Sequence, residues 1–202
     1  MQGAIIAGGP ATRFGGRPKG LERVGSVRML DRLVAAFESA LDQLPLLVAN
    51  DPEAPAWHPG LRVVADVRPG TGALGGIYTA VLEAPAPVVT VAWDMPFVTA
   101  PLIRALAAGL RDADAILPAS EGPRGVEPLC AGYGPACEPA ILAALDQGDL
   151  RAIGFHDRIK VGMLSSTQVR QFGEPAVLFF NVNTADDLQE ADRLWPRHAS
   201  SR

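Results

Sequence analysis

The chain has 202 residues, 48% of them apolar, and a formal net charge of −4. That length suits one domain with a substantial core, and the acidic balance argues against a general nucleic-acid binder, which carries a basic face. No apolar run approaches the roughly 20 residues that span a bilayer, so no membrane association is expected.

The N-terminus, Met-Gln-Gly-Ala, reads as the start of a strand rather than a signal peptide. The first predicted strand is Gly3–Ala7. It breaks into a loop with Gly8, Gly9, Gly15, Gly16 and Gly20, which also carries Arg13, Arg17 and Lys19 and no acid before Glu22. Glycines let backbone N–H groups approach a ligand closely, and successive N–H groups form anion-binding concavities. Arg and Lys add positive charge and directed hydrogen bonds to phosphate. Such a loop suits a nucleoside triphosphate. It is neither G-x-G-x-x-G nor a P-loop, because Gly20 stands after Lys19 where the magnesium-binding hydroxyl would be.

A helix is predicted over Val27–Leu41, where Leu30, Leu33, Val34, Phe37 and Leu41 share one face. Predicted strands follow at Leu46–Ala49, ending in Asn50-Asp51, and at Arg62–Ala65, ending at Asp66. A glycine-rich segment, Gly70 to Gly76, leads into a predicted helix over Leu74–Glu83. The strand Val88–Ala92 then ends in Trp93-Asp94-Met95-Pro96. Further helices are predicted at Pro101–Leu110, capped by Thr99, at Pro135–Leu145, and at Ala185–Leu194, capped by Thr184. Ala115–Pro118 is a further strand, and the apolar stretches Pro128–Tyr133, Ile159–Met163 and Val177–Phe180 add strands of mixed direction. The tail from Trp195 is polar and expected to fray, giving one domain over 1–195 and a tail over 196–202. Cys130 and Cys137 match no zinc spacing and no disulfide framework. Both are expected to be reduced and structural in a cytoplasmic protein.

Strands that are Val/Ile/Leu-rich without polar alternation are buried on both faces. Alternated with helices, they predict an α/β three-layer, Rossmann-like sandwich with a mostly parallel sheet. Ligands of such sheets sit outside the carboxyl ends of the strands. The four strand ends before residue 97 deliver polar or glycine residues to that rim. Asp94 there holds Mg²⁺ against phosphate oxygens, or closes a turn before Pro96 by side-chain-to-backbone bonding; the phosphate loop on the neighbouring strand end favours the metal. Asp66 orients the nucleotide or merely ends its strand. The glycines of 70–76 wrap a flat base or form a flexible connection. His58, His156 and His198 form no ligand cluster, and no Ser–His–Asp arrangement stands out.

These residues, in this order, resemble the molybdenum cofactor guanylyltransferase family of glycosyltransferase-A-like nucleotidyltransferases. The resemblance rests on Ile6-Ala-Gly-Gly9, Arg13-Phe-Gly-Gly16, Lys19-Gly-Leu21, Asn50, Asp66, Gly72-Ala-Leu-Gly-Gly76, Asp94-Met-Pro96, Glu127-Pro-Leu129 and Asn181-Val-Asn-Thr-Ala-Asp-Asp-Leu188. It departs at Arg17-Pro18, where an acid is common, at Phe14, where Met is common, and at Glu127, where many relatives have His. The resemblance implies GMP transfer from GTP to molybdopterin, with release of pyrophosphate. It assigns the nucleotide to Ile6, Ala7, Gly8, Gly9, Lys19, Asn50, Asp66, Gly75 and Asp94, with Arg13, Lys19 and Asp94 catalytic and Asp94 the Mg²⁺ ligand. Asn181 and Asn183 fall on the pterin side, and Arg151 is a candidate phosphate contact there. Expected partners are GTP and a molybdopterin-type cofactor, with transient contact to cofactor-delivery or molybdoenzyme proteins. The alternatives are a CTP-dependent molybdopterin cytidylyltransferase, a sugar-1-phosphate nucleotidylyltransferase, and a non-catalytic nucleotide-binding or cofactor-delivery protein.

Overall fold

The computed structural model describes residues 1–8 and 18–199. Its strands are β1 (Gln2–Ala7), β2 (Arg23–Val24), β3 (Val27–Arg28), β4 (Leu46–Ala49), β5 (Val63–Val64), β6 (Val88–Ala92), β7 (Ala115–Pro118), β8 (Cys130–Tyr133) and β9 (Val161–Leu164). Its helices are α1 (Met29–Leu41), α2 (Ala54–Trp57), α3 (Gly72–Glu83), α4 (Ala100–Gly109), α5 (Cys137–Asp146), α6 (Ser166–Val169), α7 (Pro175–Leu178) and α8 (Ala185–Ala199). Seven strands form one sheet in the order β5-β4-β1-β6-β8-β7-β9. Only β8 runs against the rest, antiparallel to both β6 and β7. The sheet is therefore mostly parallel, as its unbroken apolar runs predict.

Alternation along the strands sends side chains to two separate cores. Ile5, Leu47, Val89 and Val91 face α1 and α4, meeting Leu33, Phe37, Leu102 and Leu106. Ala4, Ile6, Val48 and Val88 face α3 and α5, meeting Leu74, Ile77 and Ile141. The central strands β1, β4, β6, β8 and β7 thus bury both faces, while the edge strands β5 and β9 are partly exposed, and the result is three layers, helices–sheet–helices. Helix α1 stops at Asp42, which adopts the left-handed conformation and bonds back to the Glu38 carbonyl. Thr99 caps α4 by accepting from Leu102 N–H at 3.4 Å. Thr184 caps α8 through a reciprocal pair: it accepts from Asp187 N–H at 3.1 Å, and the Asp187 carboxylate accepts its N–H at 2.8 Å.

Several local expectations need correction. Val177–Phe180 is not a strand; Pro175 opens the short helix α7 there, as proline favours the first helical position. The helix predicted from Val27 starts at Met29, because Val27-Arg28 pairs back with Arg23-Val24 in a hairpin. Helix α8 runs through Ala199 rather than ending near Leu194. Trp195 is held rather than frayed: it stacks on Phe97 with ring centroids 6.4 Å apart, and the Arg32 guanidinium lies 3.4 Å from its ring centre.

Candidate active site

The chain winds outward from β1 to β4 and β5, then returns to place β6 on the other side of β1. The carboxyl ends of β1 and β6 flank that change of direction, where open α/β sheets bind ligands. A cavity of about 660 Å³ opens there. Its wall includes Ile6 and Ala7 from β1, Gly8 after it, Asn50 after β4, Asp66 after β5, and Trp93 and Asp94 after β6. All four strand ends therefore reach one rim. Gly9 and Arg13 lie outside the described residues.

Asp66 is both a turn residue and part of the wall. Its Oδ1 accepts from Arg68 N–H and from the Thr79 hydroxyl, each at 2.9 Å. Its own N–H donates to the Asn50 side-chain oxygen at 2.7 Å, so Asn50 fixes the path of the chain at this rim. Among the glycines entering α3, Gly72 and Gly76 line the cavity together with Ala73. Gly76 is held to glycine by close approach: a Cβ there would stand 2.7 Å from Ile6 Cγ2. Gly75, expected at the nucleotide, is on another face of the helix. A Cβ on it would run into Thr71 and the Asp66 carboxylate instead.

Lys19 sits on a single 3-10 turn, Lys19–Leu21, entered through Pro18. Its ammonium forms an ion pair with Asp94 Oδ2 and donates to Asn183 Oδ1 at 3.1 Å. Asp94 is buried, and its other oxygen, Oδ1, has no hydrogen-bond partner among the described residues. No backbone N–H reaches its carboxylate, so turn closure by that side chain is not seen among the described residues. The β6 end is also tied to the C-terminal half, because Val182 N–H donates to the Asp94 carbonyl at 2.9 Å.

The turn is locked from beneath by Trp93. Its indole lies over Gly20 and stacks on Trp57, with ring centroids 5.3 Å apart and planes 23° from parallel. A Cβ at Gly20 would stand 2.3 Å from that ring. Gly20→Ala is expected to destabilise the fold by about 1–3 kcal/mol, the usual range for overpacking. Thermal unfolding checks this; an unchanged midpoint would mean that the turn moves freely away from Trp93. Trp57 is a cavity residue that the sequence does not flag, since α2 is too short to carry a periodic signal.

A second cavity, about 250 Å³, is lined by residues that include Arg124, Glu127, Phe179 and Asn181. The two cavities flank one segment, with Leu129 on the wall of the first and Glu127 on the wall of the second. Burial raises the Glu127 carboxyl above its ordinary range, opposed by the Leu129 N–H and by the charge of Arg124. The two asparagines of the 181–184 segment part company. Asn183 joins Lys19, whereas Asn181 lines the second cavity and donates to the Phe179 carbonyl at 2.9 Å. Arg151 is brought to neither cavity. It is exposed and bonds Asp149, whose carboxyl that side-chain hydrogen bond holds at about 2.

Among the described residues no group of three or more His, Cys, Asp or Glu could hold a metal. A magnesium ion commonly takes only one or two protein carboxylates and fills its shell with water and substrate phosphate. The orphaned Oδ1 of Asp94 fits that donor set. Cys130 and Cys137 are both buried and unpaired with each other. No described helix is long and apolar enough to cross a membrane.

Residues 3–159 match the family model described as the MobA-like NTP transferase domain. The chain is 31% identical over 195 residues to a molybdenum cofactor guanylyltransferase from Desulfosudis oleivorans, covering 95% of this chain and 94% of that one. It is 34% identical to another from Mesorhizobium japonicum, covering 96% and 95%. Among solved structures it is similar to the molybdopterin-guanine dinucleotide biosynthesis protein A of Archaeoglobus fulgidus, with a TM-score of 0.79 and 25% identity over 98% of this chain and 100% of that one. The 2-C-methyl-D-erythritol 4-phosphate cytidylyltransferase of Thermus thermophilus shares the fold, at TM-score 0.65 and 20% identity over 96% and 98%.

Proposed function

Because the chain belongs to the MobA-like NTP transferase family and is a nucleotidyltransferase, we propose that it transfers the GMP unit of GTP to molybdopterin. Pyrophosphate leaves, and the guanine dinucleotide form of the cofactor is the product. The observation that carries this proposal is the Lys19–Asp94–Asn183 cluster at the carboxyl end of β6, with Asp94 on the wall of the larger cavity and Asn181, two residues from Asn183, on the wall of the second. In the proposed reaction a terminal phosphate oxygen of the acceptor attacks the α-phosphorus of GTP in line. The bond to the bridging oxygen of pyrophosphate breaks. No protein nucleophile is needed, and catalysis is positioning and charge stabilisation.

In this scheme Lys19 neutralises charge growing on the departing pyrophosphate, and Asn183 holds the ammonium in place. Asp94 would hold a magnesium ion, which when bound supplies Lewis-acid neutralisation of phosphate charge. Ile6, Asn50, Gly72 and Gly76 form the rim proposed for the guanine, where small residues leave room for a purine. Asn181 belongs to the acceptor side. The setting we propose is the cytoplasm, with transient contact to proteins that deliver or receive the cofactor.

The test is nucleotide choice. Purified protein given molybdopterin and GTP, CTP, ATP or UTP in turn should release pyrophosphate fastest with GTP. A polar site rejects a base that leaves its buried hydrogen-bonding groups unpaired, so the preference over CTP should reach about a hundredfold or more. A higher rate with CTP would replace guanylyl by cytidylyl transfer. Nucleotide binding with no pyrophosphate from any of the four would favour a carrier.

A further inference from the structure

Asp94 and Glu127 are the only buried carboxylates among the described residues. Asp94 is neutralised by Lys19. Glu127, 8% exposed, has no ion pair among the described residues. One of its oxygens, Oε1, accepts from Leu129 N–H at 3.1 Å, and Oε2 has no hydrogen-bond partner among the described residues. Oε2 is not itself enclosed and so opens to the cavity; a carboxylate otherwise buried, with one free oxygen on a cavity wall, is placed to accept an N–H donor from a bound molecule. Arg124 contributes only at longer range, from an exposed position.

The cavity that Glu127 lines also has apolar lining, from Phe179, Pro175 and Val126. Such side chains supply apolar surface for a heterocycle beside Glu127, and a carboxylate can accept two adjacent N–H donors on its edge. A 2-amino-4-oxopyrimidine ring offers that pair, its ring N–H and its exocyclic amine. Both pterins and guanine carry this edge. The guanine of the nucleotide is already accommodated in the larger cavity under the function proposed above, on which this inference rests.

We propose that Glu127 is the specificity-determining residue of the second cavity, accepting the ring N–H and 2-amino group of the acceptor's pterin. Glu127→Gln keeps the size and can still accept from Leu129 N–H. It replaces the free acceptor with an amide that cannot take both donors.

The experiment titrates full-length wild-type protein with three probes: pterin, lumazine (in which an oxo group replaces the 2-amino group) and guanosine, the first two followed by their own fluorescence. Wild type should bind pterin about ten- to hundredfold more tightly than lumazine, the range for hydrogen bonds to a charged group. Glu127→Gln should erase that preference while its affinity for GTP stays within about twofold, which also reports an intact fold. Equal binding of pterin and lumazine by wild type would overturn the proposal without any variant. A preference that survives in Glu127→Gln would overturn the role of Glu127. Competition between guanosine and pterin for one site, with loss of both in Glu127→Gln, would overturn the pterin assignment in favour of guanine. GMP transfer to molybdopterin is assayed separately in the wild type, so failure of the reaction and failure of this recognition are told apart.

Discussion

Replacing Lys19 with alanine is expected to lower turnover by about a hundredfold or more, the scale of losing one preorganised charge donor to a leaving group. The side chain is the only described cation bonded to the Asp94 carboxylate, so the variant also leaves a buried carboxylate without its partner. Some loss of stability is therefore expected with the loss of rate. Far-UV circular dichroism and a thermal melt separate the two effects. The decisive quantity is turnover at saturating GTP and acceptor, measured below the melting transition. Near-normal turnover would remove Lys19 from the chemistry and leave it a structural partner of Asp94 and Asn183.

Asp94→Asn is expected to raise the Mg²⁺ concentration needed for half-maximal activity by at least about tenfold, since losing even an indirect partner of a bound metal has that effect. The substitution keeps the shape at the β6 end and keeps the main-chain bond from Val182 to the Asp94 carbonyl. It removes the charge that Lys19 pairs with, so a lower rate alone would not identify a metal ligand. The Mg²⁺ titration does. A normal Mg²⁺ dependence with a reduced rate would mean that Asp94 acts only by holding Lys19.

Much of this arrangement is legible before any coordinates. Leu46–Ala49, Val88–Ala92 and Ala115–Pro118 have the same bounds in sequence and structure, because residues buried on both sheet faces leave an unbroken apolar run. Asn50, Asp66 and Asp94 are legible for a related reason: each is a polar residue directly beyond an apolar strand, or one residue further on. What escapes the sequence is set by tertiary contacts. Val177–Phe180 is an apolar run too short for its period to separate strand from helix, and Pro175 decides it. Trp195 looks like part of a polar tail, yet Phe97 and Arg32 hold it from distant parts of the chain. The division between Asn181 and Asn183 also has no sequence signal, since an irregular segment has no fixed period to say which way each side chain points. Gly75 and Gly76 are adjacent glycines, and only the turn of α3 decides that Gly76 meets the cavity.

The bonds around Lys19 span 75 positions to Asp94 and 164 to Asn183. Closing loops of that size is slow, because their entropy is lost before the contacts reward it. A growing chain on the ribosome thus cannot assemble this constellation until residue 183 has emerged and docked. A partly made chain would have its central strands in place but lack one of the ammonium's two anchors. Recovery of activity after denaturation should accordingly report completion of the whole fold, and lag behind any spectroscopic signal from the central sheet.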